Sequence, residues 1–280
     1  MTWAPLVDAG REAAFGGKAA SLAHALRAGL PVPDGLALAA PFVDAVGGGD
    51  PAAVAALAAL PLPPGPFAVR SSAVGEDSAD ASFAGQHATI LNVEGGDALA
   101  AAVREVWRSG RTESALAYRR RLGVAGPPRM GVVVQRLAAA EVAGVLFTRN
   151  PVTGADERVI EAAWGLGEAV VQGRVVPDRY RLDRDGGLLE RTSGRMPVVL
   201  RPAAGGEVAE QALPDGLAGV ACLDDARLLA LHHLALACDR IWDGDHDIEW
   251  AFADGAVVLL QRRPVTRAAD TLSAGPAAVR

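Results

Sequence analysis

A chain of 280 residues is long enough for one large domain or two modest ones, with a substantial core. Its hydrophobic half is rich in alanine and broken by 32 Gly and 18 Pro, a soluble α/β composition, and no run of about 18 uninterrupted apolar residues offers a membrane span. A formal net charge of −6 and a pI near 5.4 exclude a global pull toward nucleic acid or an anionic membrane, so any phosphate site must come from local cations.

In chain order, the first 18 residues lack the apolar run of a signal peptide. The segment GKAASLAHALRAGLPVP reads as a helix from Gly17, with Leu22 and Leu26 four apart and Gly29 as its stop. A second helix is expected from Pro51 to Leu60, and LPLPPGP, Leu60 to Pro66, breaks the chain. FAVRSSA and HATILNV read as strands around a Gly/Ser/Ala-rich loop. One long helix is expected from about Asp97 to Leu122. From Arg129 onward the strands MGVVVQRL, VAGVLFTRNP, RVIEAAWG and DRYRLDR dominate, and a leucine-rich helix from Ala226 to Ile241 precedes a closing hairpin. The tail after Thr266 reads as a linker. Cys222 and Cys238 fit neither a zinc motif nor a disulfide framework and are expected as buried thiols in a reducing, cytoplasmic setting.

Five stretches carry chemistry. Lys18 follows two glycines at a helix start, but Glu12 and Ala19 stand where a Walker A motif needs glycine and Ser/Thr. Glycines, helix amides and an ammonium can still form a phosphate site. Arg70 ends a strand before a small-residue loop whose amides could approach a phosphate chain, and its planar fork suits phosphate oxygens. The strand ending at Gln135 and Leu137 could meet a purine edge with its backbone, although ordinary core strands look the same. The segment WGLGEAVVQG places Glu168 in a glycine-punctuated, exposed setting.

The fifth is the hairpin DIEWAFADGAVVLLQRRP, Asp247 to Pro264. Side chains alternate faces along a strand, so the loop length sets which residues share a side. A two-residue Asp254-Gly255 loop would put Glu249 and Gln261 on opposite faces. A three-residue loop, Ala253 to Gly255, gathers Asp247, Glu249, Gln261 and Arg263 on one side and sends Ile248, Trp250, Phe252, Val258 and Leu260 to the core. The three-residue loop is therefore the expectation, and its polar face offers oxygen ligands beside a cation, as a magnesium nucleotide requires.

Taken together, GGKAASL, VRSSAVGEDSADASFAGQ, AGVLFTRNPVTG, EAAWGLGEAVVQGRVVPD and DIEWAF followed by LLQRRP resemble the N-terminal nucleotide-binding domain of the phosphoenolpyruvate synthase and pyruvate phosphate dikinase family, which includes rifampicin phosphotransferases. The resemblance spans nearly the whole chain. It implies an α/β (α+β) ATP-grasp fold in which two subdomains clamp Mg-ATP. It also implies catalytic roles for Lys18, Arg70 and Arg263. Lys18 and Arg70 would hold the phosphates, Gly85 and Thr89 would cover the phosphate chain, and Arg263 would stand on the γ side. Gln135 and Leu137 would form the adenine hinge, with Leu137 where methionine is frequent. Glu249 and Gln261 would face Mg²⁺.

The expected division is residues 1–66 and 67–128 for the first subdomain, 129–266 for the second and 267–280 for the tail. Family members pass a phosphoryl or pyrophosphoryl group to a histidine on a swivelling domain. None of His24, His87, His232, His233 and His246 lies in the glycine- and Thr/Ser-rich setting of that phosphocarrier, so a partner domain or protein is expected to supply it. A stand-alone kinase or ligase acting on a small molecule, and an ATP-binding subunit without turnover, are the alternatives. Nucleic acid and membrane are not expected partners.

Overall fold

The computed structural model describes residues 2–75, 88–121 and 126–265. In chain order these form β1 (Trp3–Pro5), α1 (Glu12–Phe15), α2 (Gly17–Arg27), β2 (Gly35–Leu38), α3 (Ala40–Gly47), α4 (Pro51–Ala58), β3 (Phe67–Ala73), β4 (Thr89–Val93), α5 (Gly96–Ser109), α6 (Glu113–Arg121) and β5 (Met130–Arg136). Then follow β6 (Val142–Phe147), β7 (Arg158–Trp164), α7 (Glu168–Val171), β8 (Asp178–Leu182), β9 (Leu188–Thr192), β10 (Val198–Pro202), β11 (Val208–Ala212), α8 (Asp225–Ile241), β12 (His246–Ala253) and β13 (Ala256–Pro264). No helix among the described residues is long and apolar enough to cross a membrane.

Two antiparallel sheets organise the chain. A five-stranded sheet has the order β1-β2-β5-β3-β4, and a six-stranded sheet the order β13-β12-β6-β7-β8-β9. The first carries α3, α4 and α5 on one face, where Val43, Val46, Leu57, Val103 and Val106 meet Val69, Val132 and Val134. A second core is shared by α2, α8 and the six-stranded sheet, with Leu22, Leu231, Ile248 and Trp250 fully buried in it. This is the α/β architecture of two facing units expected of an ATP-grasp fold. A small β10-β11 hairpin joins them, since the Asn92 side-chain amide, at the end of the first sheet, donates to the Ala203 and Glu207 carbonyls at 2.7 Å each.

The strand Met130–Arg136, assigned by the expected boundary at residue 129 to the second unit, lies in the middle of the first sheet between β2 and β3. Its Val132-Val133-Val134 run explains why, because only a central strand covered on both faces buries three successive valines. The single helix expected over Asp97–Leu122 is two helices. Gly110 breaks it where the chain runs so close to Met130 and Pro128 that a Cβ would fall 2.5 Å from the methionine methyl, and Thr112 Oγ1 then accepts the Ala115 N–H to start α6. Cys222 and Cys238 are free and buried, as expected.

One long-range contact couples the two basic motifs. The α2 backbone opens at Gly16, whose φ of 86° and ψ of 169° lie in a region that essentially only glycine occupies. A Cβ there would stand 1.8 Å from the Ser72 carbonyl oxygen. This close approach lets Ser72 Oγ accept the Ala19 N–H at 2.9 Å, so that β3 caps the helix that carries Lys18. Ser72→Ala is expected to cost about 1 kcal/mol in urea unfolding. Gly16→Ala should cost more, about 2 kcal/mol or above, because it adds backbone strain to the lost cap; equal and negligible losses would show that the coupling does not hold the helix.

Candidate functional site

The cleft between the two sheets has a volume of about 880 Å³, within the range of small-molecule sites. Lys18, Arg70, Thr89, Gln135, Leu137, Glu249, Gln261 and Arg263 all line it. Eight of the nine residues to which the resemblance assigns a site role are therefore in one cavity; the ninth, Gly85, lies outside the described residues. Lys18 enters from the first turn of α2 and is buried, 7% exposed. Arg70 enters from β3, with Thr89 directly across from it on β4.

The closing hairpin reaches the expected pairing by a different route. Asp254 and Gly255, with φ of 53° and 75°, form a two-residue turn with both residues left-handed, so Ala253 pairs with Ala256 and belongs to the strand rather than to a three-residue loop. That turn sends Val257 and Leu259, not Val258 and Leu260, toward the core side, and Leu259 is fully buried opposite Trp250. A bulge then inserts Leu260 as an extra residue, shifts the alternation by one, and brings Gln261 opposite Glu249 and Arg263 opposite Asp247.

The bulge also presents a backbone acceptor. Arg70 donates through Nη1 to the Leu260 carbonyl at 2.5 Å, and through Nη2 to Glu249 Oε2 at 2.7 Å and Gln261 Oε1 at 2.8 Å. A guanidinium from the first sheet is thus held by both arms of the hairpin in the second. Next to it, Arg263 grips Asp247 Oδ2 at 2.7 Å from Nε and 2.6 Å from Nη2. Asp247 Oδ1 is buried without a hydrogen-bond partner. Burial raises the Asp247 carboxyl above the ordinary aspartate range, and the Arg263 charge opposes that rise. Alternation along the hairpin groups Asp247 with the polar face, yet gives no sign that it is the partner of Arg263.

The far end of the cleft is apolar, built from Leu91, Leu137, Ala138, Ala140 and Leu166. Gln135 and Leu137 are at this end, but the Gln135 side chain donates to the Pro33 carbonyl and the Leu137 N–H to the Pro66 carbonyl at 2.9 Å. Those donors serve the fold, so a ring bound here would meet the surrounding apolar surface first. Among the described residues no group of three or more His, Cys, Asp or Glu has the arrangement of a metal site. What the cleft does offer a metal is a Glu249 carboxylate and a Gln261 amide oxygen, hard ligands already directed at one cation, Arg70.

The family model of the pyruvate phosphate dikinase AMP/ATP-binding domain matches residues 53–277. A probable phosphoenolpyruvate synthase of Methanothermobacter thermautotrophicus is 40% identical over 201 residues, covering 71% of this chain and 29% of that protein. The prodigiosin synthesizing transferase PigC of Serratia marcescens is 37% identical and covers 90% of this chain and 31% of its own. A rifampicin phosphotransferase of a Streptomyces species is 39% identical over 203 residues, 71% of this chain and 23% of that one. The matched part of this chain thus spans under a third of each relative.

The Asp247 environment has a measurable consequence. Its folded pKa lies above the unfolded one, so it contributes stability while protonated and loses that contribution as pH rises through the raised value. Asp247→Asn, which cannot ionise, is expected to raise the urea midpoint above that of the parent near pH 7, with the gap closing as pH falls to about 4. A gap that stays constant over this range would show that ionisation of Asp247 costs the fold nothing.

Proposed function

Because this chain belongs to the family of the pyruvate phosphate dikinase AMP/ATP-binding domain, we propose that it is the Mg-ATP-cleaving module of a phosphotransferase, one that passes a phosphoryl or pyrophosphoryl group to a histidine on a separate domain or protein. The observation that carries this reading is the convergence of Lys18, Arg70 and Arg263 with Glu249 and Gln261 on one cleft whose opposite end is apolar. A nucleoside triphosphate has that polarity, with a flat ring at one end and about four negative charges at the other at neutral pH.

In this reading Lys18 and Arg70 bind the phosphate oxygens, and Arg263 stands toward the γ-phosphate. Thr89, across the strand pair from Arg70, and Gly85 cover the phosphate chain. Gln135 and Leu137 border the adenine, with Leu91 and Leu166 against its faces. The Glu249 carboxylate and Gln261 amide oxygen fit Mg²⁺, because both are hard acceptors and both already bond a cation. When bound, Mg²⁺ neutralises charge on the phosphate oxygens. The chain's own residues position and screen the triphosphate. Phosphoryl transfer depends chiefly on these two effects, because the transition state spreads charge over oxygens that fixed cations can meet.

Two facts favour an acceptor elsewhere. The relatives are about three to four times longer than the segment they share with this chain. Of the histidines among the described residues, His24, His232, His233 and His246, none lines the cleft. The two buried free thiols suit a reducing compartment such as the cytoplasm.

The test is incubation with Mg-ATP alone and then with a domain that bears the family's phosphoacceptor histidine, separating the nucleotide products by anion exchange. AMP or ADP should accumulate only when the acceptor is present. Glu249→Ala and Arg70→Ala should each slow this by about 100-fold or more while circular dichroism stays unchanged. Parent-like turnover in either variant sinks the site assignment, and product formed equally without acceptor sinks the transfer to histidine.

A further inference from the structure

Glu168 lies in the same cleft, and no role above uses it. It begins α7, and its side chain is half-buried rather than exposed as its glycine-rich context suggests. The helix spacing puts Glu168, Val171 and Gln172 on one face, and all three line the cleft. Their position is fixed from below. Leu166 N–H donates to the Leu200 carbonyl at 3.0 Å, and a Cβ on Gly165 would fall 2.5 Å from that same oxygen, so the small β10-β11 hairpin clamps the segment leading into α7.

A carboxylate so placed would ordinarily be satisfied by a neighbour. Among the described residues the Glu168 carboxylate accepts no hydrogen bond and makes no ion pair within 4 Å; Arg174 and Arg70 act on it at longer range only. Burial raises its carboxyl above the ordinary glutamate range, against the pull of those two cations. It is an acceptor without a donor, facing the cavity.

Resting on the reading of the cleft as a nucleotide site, the geometry points to Glu168 as the residue that accepts hydrogen bonds from the ribose 2′- and 3′-hydroxyls and so makes the site select ribonucleotides. A nucleoside triphosphate is almost entirely an acceptor at its phosphates, and a carboxylate there would be repelled. Its donors are the exocyclic amine of adenine and the vicinal hydroxyls of the sugar. Glu168 feels the charge of Arg70, the phosphate-side cation, while Leu166, two residues earlier, packs with Leu137 and Leu91 at the apolar end. It therefore stands between the two ends, where the sugar lies, rather than beyond the ring, where the amine lies. Two hydroxyls on adjacent carbons match the two oxygens of one carboxylate.

The experiment is calorimetric binding of ATP, 2′-deoxy-ATP, 3′-deoxy-ATP and purine riboside triphosphate, which lacks the exocyclic amine, to the parent, Glu168→Ala and Glu168→Gln proteins in Mg²⁺ buffer. The parent should prefer ATP to one or both deoxy analogues by about tenfold or more. Glu168→Ala should bring ATP down to the level of that analogue without moving the analogue's own affinity, and Glu168→Gln, which keeps one carbonyl acceptor, should fall between. Equal losses on every nucleotide, no loss at all, or a loss of discrimination against the amine-free analogue instead would overturn the assignment. Failure of the parent to bind any of the four would sink the nucleotide reading itself, whereas tight ATP binding with unchanged sugar discrimination in both variants sinks only the role of Glu168.

Discussion

The architecture of the cleft depends on how Arg70 is satisfied. A guanidinium that is 7% exposed has given up most of its hydration, and a buried cation is tolerable only where acceptors replace the lost water. Three acceptors do so for its two terminal nitrogens, and each comes from the opposite sheet: a carboxylate on β12, an amide on β13 and the carbonyl of the bulged residue just before that amide. The two sheets are thus joined at the cleft by one side chain. Any shift of the hairpin by one residue would strand that charge, so the register of β13 is specified as much by Arg70 as by its own core residues.

The same logic explains the bulge. With a two-residue turn and a regular ladder, Leu259 would face the core and Gln261 would follow it there. An extra residue at Leu260 lets the half of β13 next to the turn obey the core and the half past the bulge obey the cleft. Asp-Gly forces the tight turn because both residues accept positive φ at low cost, and its twist matches that of the strands. The polar face of the hairpin was legible from the chemistry of Asp247, Glu249, Gln261 and Arg263, and so was their convergence. The route was not, because a bulge leaves no mark in the alternation pattern that a longer loop would not also leave.

Elsewhere the legible parts were those with strong local signals. Glycine stops, proline breaks and valine runs located α2, α4, β3, β5 and α8 to within a few residues. The partition of strands between sheets was hidden, since β5 reads like the strands after it and only its valines on both faces betray a central place in the first sheet. The short β10-β11 hairpin was also missed: its strands are only five residues each, β11 is largely exposed, and it is held by Asn92 from over a hundred residues away. Lys18 and Arg70 could be marked as candidates separately. Their mutual placement rests on Ser72 capping α2, a contact across 53 residues that no local pattern encodes.

The arrangement of charge in the cleft follows from what it must do when empty. Three cations held near one another with no anion would repel and would draw in water. Here Arg70 is neutralised by Glu249 and Arg263 by Asp247, so the fold carries both guanidiniums as ion pairs. In the proposed site, an arriving triphosphate with Mg²⁺ brings both signs at once. Its phosphate oxygens can take Arg70, and its metal can take Glu249 and Gln261, so Arg70 and Glu249 each exchange one partner for another of the same sign, while Arg263 keeps Asp247. Such an exchange avoids the large cost of leaving a buried charge unpaired at any stage. It also keeps the donors and acceptors aimed at their targets before the ligand arrives, which is the condition for electrostatic stabilisation without reorganisation. The Glu168 carboxylate on the cleft wall has no such partner among the described residues, and the hydroxyls of a sugar carry no charge that would require one.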